Sequence, residues 1–112
     1  MCEARPWGYY VVLRDGTDYK VKKIVVNRYQ RLSLQTHAKR AEHWYVVEGQ
    51  GLVTLGDGHF TVNAGDSVNV PIGVAHRIEN TGEIPLEFVE VQTGTYFGED
   101  DIVRLADDYD RA

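Results

Sequence analysis

RLSLQTHAKRAEHWYVVEGQG, running from Arg31 to Gly51, is the stretch on which the reading of this chain turns. It carries a strand-like pattern and most of the side chains able to hold a metal. Side chains of an extended strand alternate between faces, so Gln35 and His37 share one face. After a short loop, Glu42, Trp44 and Val46 share another. A second stretch, GDSVNVPIGVAHRIEN from Gly65 to Asn80, adds His76 just after a Pro-x-Gly turn. One short strand cannot surround an ion, so two separated pieces that each bring ligands point to a site made by folding. Two imidazole nitrogens with two oxygens suit Zn, Mn, Fe, Co or Ni and do not favour Cu(I). Any one of these residues alone is more often a hydrogen-bonded or surface residue. The combined spacing is what singles them out.

Working outward, apolar alternation punctuated by Gly and Asp or Asn recurs about every ten residues, the signature of an all-β sandwich or barrel. The pattern predicts strands over Tyr9 to Arg14, Tyr19 to Val26, Arg31 to Gln35, His43 to Glu48, Gly51 to Leu55, His59 to Val62, Ser67 to Val70, His76 to Glu79 and Leu86 to Thr93. Gly56-Asp57-Gly58 makes a tight hairpin of the pair around it. Only the tail, GEDDIVRLADDYDRA, has room for a short C-terminal helix, with Asp100 or Asp101 as its N-cap. In the strand from Leu86 to Gln92, the set Phe88, Glu90 and Gln92 opposes Glu87, Val89 and Val91. Alternation leaves open which set faces a cavity.

The chain has 112 residues, which reads as one domain over residues 1–112, with a barrel core at about 20–93 and arms at 1–19 and 94–112. A net charge of −5 supplies no basic surface for nucleic acid, so a phosphate-bearing ligand would be held by a few placed cations. Cys2 is the lone cysteine and cannot form an internal disulfide. Without a membrane-length apolar run or a signal-peptide pattern in MCEARPWGYY, the expectation is a cytoplasmic protein. It reads as either complete or one domain of a larger relative.

Two motifs give the reading a family. Gly65-x5-Pro71-x-Gly73-x2-His76-x3-Asn80 matches the second cupin motif at every fixed position, and Gln35-x-His37-x4-Glu42-x6-Gly49 resembles the first. There are two departures: Gln35 stands where most cupins have His, and Tyr29 where the motif begins with Gly. The resemblance covers Val26 to Val91. It implies a double-stranded β-helix, the jelly-roll barrel, with the site inside.

A narrower resemblance covers nearly the whole chain. Arg5-Pro6-Trp7-Gly8, Val21-Lys22-Lys23-Ile24, Leu32-Ser33-Leu34-Gln35, Arg40-Ala41-Glu42-His43-Trp44, Pro71 to Arg77, Glu90-Val91-Gln92 and Gly98 to Arg104 are similar to type II mannose-6-phosphate isomerases. In that family the cupin is usually the C-terminal part of a protein that begins with a mannose-1-phosphate guanylyltransferase. The Gln at the first ligand position agrees with the Gln, His, Glu, His set of phosphomannose isomerases. The His-rich run that often follows is reduced here to His37-Ala38-Lys39.

The resemblance implies a metal-dependent isomerase that interconverts mannose 6-phosphate and fructose 6-phosphate. It implies one divalent ion per subunit, zinc first among the candidates, held by Gln35, His37, Glu42 and His76. The reaction moves a proton between C2 and C1 through an enediol, which needs a positioned acid/base group. Glu90 is the first candidate, with His43 and Glu48 behind it. Arg40, Lys22 and Arg104 are the cations expected on the phosphate. Gln92 is grouped with them as a substrate contact, whereas alternation turns Arg77 away from the metal. Trp7, Tyr9, Tyr10, Trp44, Tyr45 and Tyr96 suit either a sugar-stacking wall or packing. A homodimer is expected, with Arg5 to Gly8 as a crossing segment, and a separate guanylyltransferase is a conceivable partner. The competing reading is a non-catalytic cupin that binds a sugar phosphate or sugar nucleotide as a sensor or subunit. A cupin dioxygenase is less favoured, because Gln is a weak neutral ligand in place of an imidazole.

Overall fold

Period-two alternation becomes strand after strand in a computed structural model that describes residues 2–109. In chain order the strands are β1 (Cys2–Arg5), β2 (Gly8–Asp15), β3 (Tyr19–Val26), β4 (Leu34–His37), β5 (Arg40–Glu48), β6 (Gln50–Leu55), β7 (Gly58–Asn63), β8 (Ser67–Val70), β9 (His76–Asn80), β10 (Leu86–Gly94) and β11 (Ile102–Ala106). They form two antiparallel sheets, ordered β1-β2-β3-β10-β5-β8 and β11-β4-β9-β6-β7. This is the expected all-β jelly-roll architecture. No helix among the described residues is long and apolar enough to cross a membrane.

Inward residues of the two sheets meet in one core. Ile24, Val26, Trp44, Val46, Leu86 and Phe88 come from the first sheet, and Val53, Val62 and Ile78 from the second. The orientation of β10, undecided by alternation, is settled by burial: Leu86, Phe88, Glu90 and Gln92 face inward, while Val89 and Val91 are half-buried on the other face. Phe88 pairs with Ile24 on one side and Val46 on the other, and its ring lies 5.2 Å from that of Trp44. Two positions further along, Glu90 pairs with Lys22 and Trp44, and then Gln92 with Glu42. The same inward face therefore runs from apolar to polar along its length, and the polar stretch is where the site forms.

Two local features differ from expectation. The tail forms a single 3₁₀ turn at Glu99–Asp101 and then β11, in place of a helix. Its β-branched Ile102 and Val103 pair with His37 and Thr36 on the open edge of β4. Asp101 caps no helix; its carboxylate accepts hydrogen bonds from the amides of Ala38 and Lys39 at 3.3 and 2.9 Å. Arg5 to Gly8 closes the β1–β2 hairpin, and Trp7 packs in the core.

Two backbone positions test the motif reading. Gly49, between β5 and β6, has φ of 92°, and a Cβ there would lie 2.8 Å from the Pro85 carbonyl oxygen, so glycine is required. Tyr29, which replaces the motif's glycine, is the one non-glycine residue with positive φ among the described residues, at 69°. The sequence departs from the motif there, and the backbone takes a conformation that favours glycine. The left-handed region costs an L-residue roughly 1–2 kcal/mol. Glycine gives back about 0.5–1 kcal/mol through its freer unfolded chain. Tyr29→Gly should therefore raise stability by about 0.5 kcal/mol, a Tm gain of roughly 2–4 °C in a domain this size. A lower melting temperature in that variant would contradict the assigned strain.

Candidate active site

Strand alternation delivers the polar cluster. On β5, Arg40, Glu42, Trp44 and Val46 are buried, whereas His43 and Tyr45 between them are exposed. His37 ends β4 and His76 begins β9, and both are buried. Gln35 pairs directly with His76 where β4 meets β9. Chain segments 35–42 and 76 are thereby brought to one place. The Asp101 cap on the β4–β5 turn holds in position the strands that carry His37 and Glu42.

Glu42 is the centre of the cluster. Its Oε1 accepts from the Trp44 indole at 3.0 Å, and its Oε2 accepts from Arg40 Nε at 3.0 Å. His37 Nε2 lies 3.2 Å from Oε2, and His76 Nε2 lies 3.7 Å from Oε1. Burial alone would raise the pKa of this carboxyl. The His37 hydrogen bond and the charges facing it from His76 and Arg40 outweigh burial and hold it well below the usual carboxylate range. Glu42 is therefore an ionised acceptor. The His76 Nδ1–H donates to the Val74 carbonyl at 3.0 Å, which turns the Nε2 lone pair inward. Burial pushes the His76 pKa down, against the pull of Glu42, and favours that neutral, ligating form.

A divalent ion fits these residues. His37, Glu42 and His76 each offer a buried donor atom, all within 4.8 Å of one another. The His37 ring is also unsatisfied as it stands: Nδ1 is buried without a hydrogen-bond partner. Its Nε2 meets a donor, Arg40 Nη2 at 3.1 Å, and an acceptor, Glu42. One neutral imidazole nitrogen cannot serve both, and an ion would use its lone pair and the carboxylate together.

A cavity of about 60 Å³ opens beside the cluster. Its lining includes Gln35, His37, Glu42, His76, Glu90, Lys22, Arg40 and Arg104, so eight of the expected site residues converge there. Glu90 is buried and accepts from Gln92 Nε2 at 2.5 Å. Burial, with the charge of Glu42 beside it, pushes its carboxyl up to about 8. Gln92 is fully buried outside the cavity lining, which suits it to hold Glu90 and not to touch a ligand. His43 and Glu48 do not reach the cavity. Alternation from Glu42 places His43 on the outer face, where it contacts Asn69, and Glu48 is exposed at the end of β5. Of the aromatic candidates, Trp7, Tyr10 and Trp44 line the cavity. Arg40 lines it too, but its guanidinium is engaged by Glu42, His37 and the Phe97 carbonyl.

Sequence reasoning missed two cations. Arg5 and Arg77 both line the cavity. Arg5 was assigned to a crossing segment, and the strict alternation of β9 turned Arg77 outward. The strand next to β9 is irregular: Arg31 bridges to Glu79 and Gln35 pairs with His76, but Leu32 and Ser33 between them are in no strand. Arg77 reaches into that break and donates to the Leu32 carbonyl at 2.9 Å.

Comparison with known proteins agrees with this geometry. The model of the family described as mannose-6-phosphate isomerase C-terminal matches residues 2–107. The chain belongs to this family. It is 50% identical over 107 residues to the xanthan biosynthesis protein XanB of Xanthomonas campestris, covering 96% of this chain and 23% of that protein. The alginate biosynthesis protein AlgA of Pseudomonas aeruginosa is 50% identical over 111 residues, covering 98% and 23%. A mannose-1-phosphate guanylyltransferase of Escherichia coli K12 is 45% identical over 107 residues, covering 96% and 22%. The chain thus spans under a quarter of the length of these relatives. Among solved structures, oxalate decarboxylase of Lactobacillus farciminis superposes with a TM-score of 0.80 at 22% identity, over 94% of this chain and 33% of that one. The capsular polysaccharide assembling protein CapF of Staphylococcus aureus gives 0.82 at 18%, over 95% and 32%. At that identity the likeness concerns the cupin fold alone.

The Asp101 cap gives a direct test of how this isomerase-family domain holds its ligand strands. Asp101→Ala should cost about 1 kcal/mol, because the two hydrogen bonds are solvent-facing. Amide hydrogen exchange should show Ala38 and Lys39 losing protection while β3, β5 and β10 keep theirs. Unchanged protection at both amides would contradict the cap.

Proposed function

We propose that this domain is a metal-dependent isomerase that interconverts mannose 6-phosphate and fructose 6-phosphate. The observation that carries the reading is a buried carboxyl, Glu90, facing the same cavity as a buried His–Glu–His set. An aldose–ketose proton transfer needs such a neighbour for its metal. Family membership and the names of the relatives, which lie in sugar-nucleotide and polysaccharide biosynthesis, support it.

Gln35, His37, Glu42 and His76 would hold one divalent ion, zinc first by the chemistry of the donor set, with Mn, Fe, Co and Ni also suited to it. Bound there, the ion would supply Lewis-acid polarisation of the sugar's carbonyl and hydroxyl oxygens. Glu90 moves the carbon-bound proton: its ionised form takes it from C2 of the open-chain aldose as O1 gains a proton to give the enediol, and the proton is then returned to C1 as O2 loses its proton and becomes the ketose carbonyl. Gln92 Nε2 orients the Glu90 carboxyl from behind. Arg40 keeps Glu42 ionised and in place, and Lys22 and Arg104 contribute positive charge to the cavity wall. The surrounding Trp7, Trp44 and Ile78 exclude water from the enediol.

The test is to load the protein with a divalent ion, add mannose 6-phosphate and follow fructose 6-phosphate. Turnover should vanish with a chelator and return when the ion is restored. Glu90→Gln should retain its metal, measured by elemental analysis, and lose a hundredfold or more in kcat. Near-normal turnover in that variant would remove Glu90 from the proton transfer. Tight sugar-phosphate binding without turnover by the metal-loaded wild type would favour instead a sensor or accessory subunit.

A further inference from the structure

The cavity has two chemically distinct depths. The inner wall carries the buried His37, Glu42, His76 and Glu90, and the outer wall carries half-buried Arg5 from β1, Arg77 from β9 and Arg104 from β11. Two of these arginines were not expected at the site, and both are held by neutral groups. Arg77 donates from Nε to the Leu32 carbonyl at 2.9 Å and from Nη2 to the Ala106 carbonyl at 3.2 Å. Arg5 donates to the Ala4 carbonyl at 2.8 Å and to the Tyr10 hydroxyl at 3.2 Å, with its guanidinium 5.0 Å from the Tyr10 ring centre.

Among the described residues, Asp107, Asp108 and Glu79 lie near Arg77, and the last two are engaged by Arg31. Asp108 receives two hydrogen bonds from Arg31, at 2.7 and 2.9 Å, and Glu79 lies 3.8 Å from the same guanidinium. Glu42 is enclosed by Trp44, Arg40 and His37. Among the described residues, the carboxylate that pairs with Arg5 is Glu3, at a loose 3.9 Å. Burial and the charge of Arg31 pull the Arg77 pKa below its ordinary value, against the opposing charges of Asp108, Glu79 and Asp107. Guanidinium groups oriented by carbonyls, and lacking a close carboxylate, fit an anion that arrives from outside.

We propose that Arg5 and Arg77, with Arg104 beside Gln35, form the docking site for the phosphoryl group of the substrate. This rests on the isomerase reading for the identity of the sugar, but the anion site stands on the arginines. The polarity follows from the substrate's chemistry. A sugar 6-phosphate carries its phosphate at the end of the carbon chain remote from C1 and C2. With the phosphate at the outer arginines, C1 and C2 point inward to Glu90 and the His–Glu–His set. Arg40 stays with Glu42. Strands from both arms of the chain, β1 and β11, therefore supply specificity to a barrel whose inner wall supplies chemistry.

The experiment is calorimetric titration of the metal-loaded protein with mannose 6-phosphate, mannose and inorganic phosphate, for wild type, Arg5→Gln and Arg77→Gln. Each variant should weaken mannose 6-phosphate and inorganic phosphate about tenfold or more, the loss of a charge-assisted contact. Mannose binding and metal content should not change. In turnover, KM should rise with kcat largely kept, since a remote binding contact is lost. Unchanged phosphate affinity in folded variants overturns the assignment, as does an absence of phosphate binding by wild type. Should Arg77→Gln unfold through loss of its two carbonyl contacts, Arg5→Gln decides. Wild type that binds mannose 6-phosphate through these arginines and yields no fructose 6-phosphate would defeat the isomerase reading alone. Turnover with arginine variants that bind normally would defeat this inference alone.

Discussion

A single buried carboxylate organises this molecule. Removing an ionised group from water costs several kcal/mol even after the protein relaxes, so Glu42 is tolerable only because its surroundings answer it on every side. The Trp44 indole takes one oxygen, the Arg40 guanidinium takes the other, and two imidazoles face the pair. Each of those partners is itself fixed: Trp44 by packing on Phe88, His76 by the Val74 carbonyl, and His37 by β4, whose far edge is closed by β11. Loosening any of them would leave a charge without its complement. The arrangement is therefore rigid for electrostatic reasons, which is what a preformed ligand set requires.

The same charge explains why two glutamates in one cavity are not equivalent. Glu42 has cationic partners and stays ionised. Glu90 sits beside it, and burial together with the neighbouring Glu42 charge disfavours its charged form, which the Gln92 amide only orients. Adjacent carboxyls with opposite biases are a recurrent way of assigning different tasks to one residue type. Here the division comes from strand register: Glu42 lies across from Gln92 on the neighbouring strand, and Glu90 lies one inward position away, between Lys22 and Trp44.

Much of this was legible because barrel strands obey a rigid alternation. The inward placement of Glu42, Trp44 and Val46 followed from their spacing, and the convergence of Gln35, His37 and His76 followed from two motif-bearing stretches. What escaped had physical causes. The orientation of β10 depended on which face the opposite sheet would cover, a tertiary fact that Val89 and Glu90 do not encode locally. The C-terminal strand looked like a short helix because charged residues around Asp100 and Asp101 resemble a cap. The open edge of β4 took Ile102 and Val103 as a partner strand and Asp101 as a lid on its turn. Alternation holds along β9, with His76, Ile78 and Asn80 buried and Arg77 between them, but it does not foresee that the long Arg77 side chain reaches the cavity past the gap at Leu32 and Ser33.

Net charge misled in a related way. A total of −5 argues against polyanion surfaces. Yet among the described residues Arg5, Lys22, Arg40, Arg77 and Arg104 line one small cavity against Glu42 and Glu90. A sum over the chain is blind to that separation of charge, which depends on residues distant in sequence sharing a wall. Low-dielectric walls focus the field of such a cluster into the opening, whereas the acidic exterior is screened within about 8–10 Å at ordinary ionic strength. An anionic sugar approaching this domain thus meets mild repulsion at the surface and attraction at one aperture. Charge arranged in this way favours a small anion at the opening over an extended polyanion on the surface.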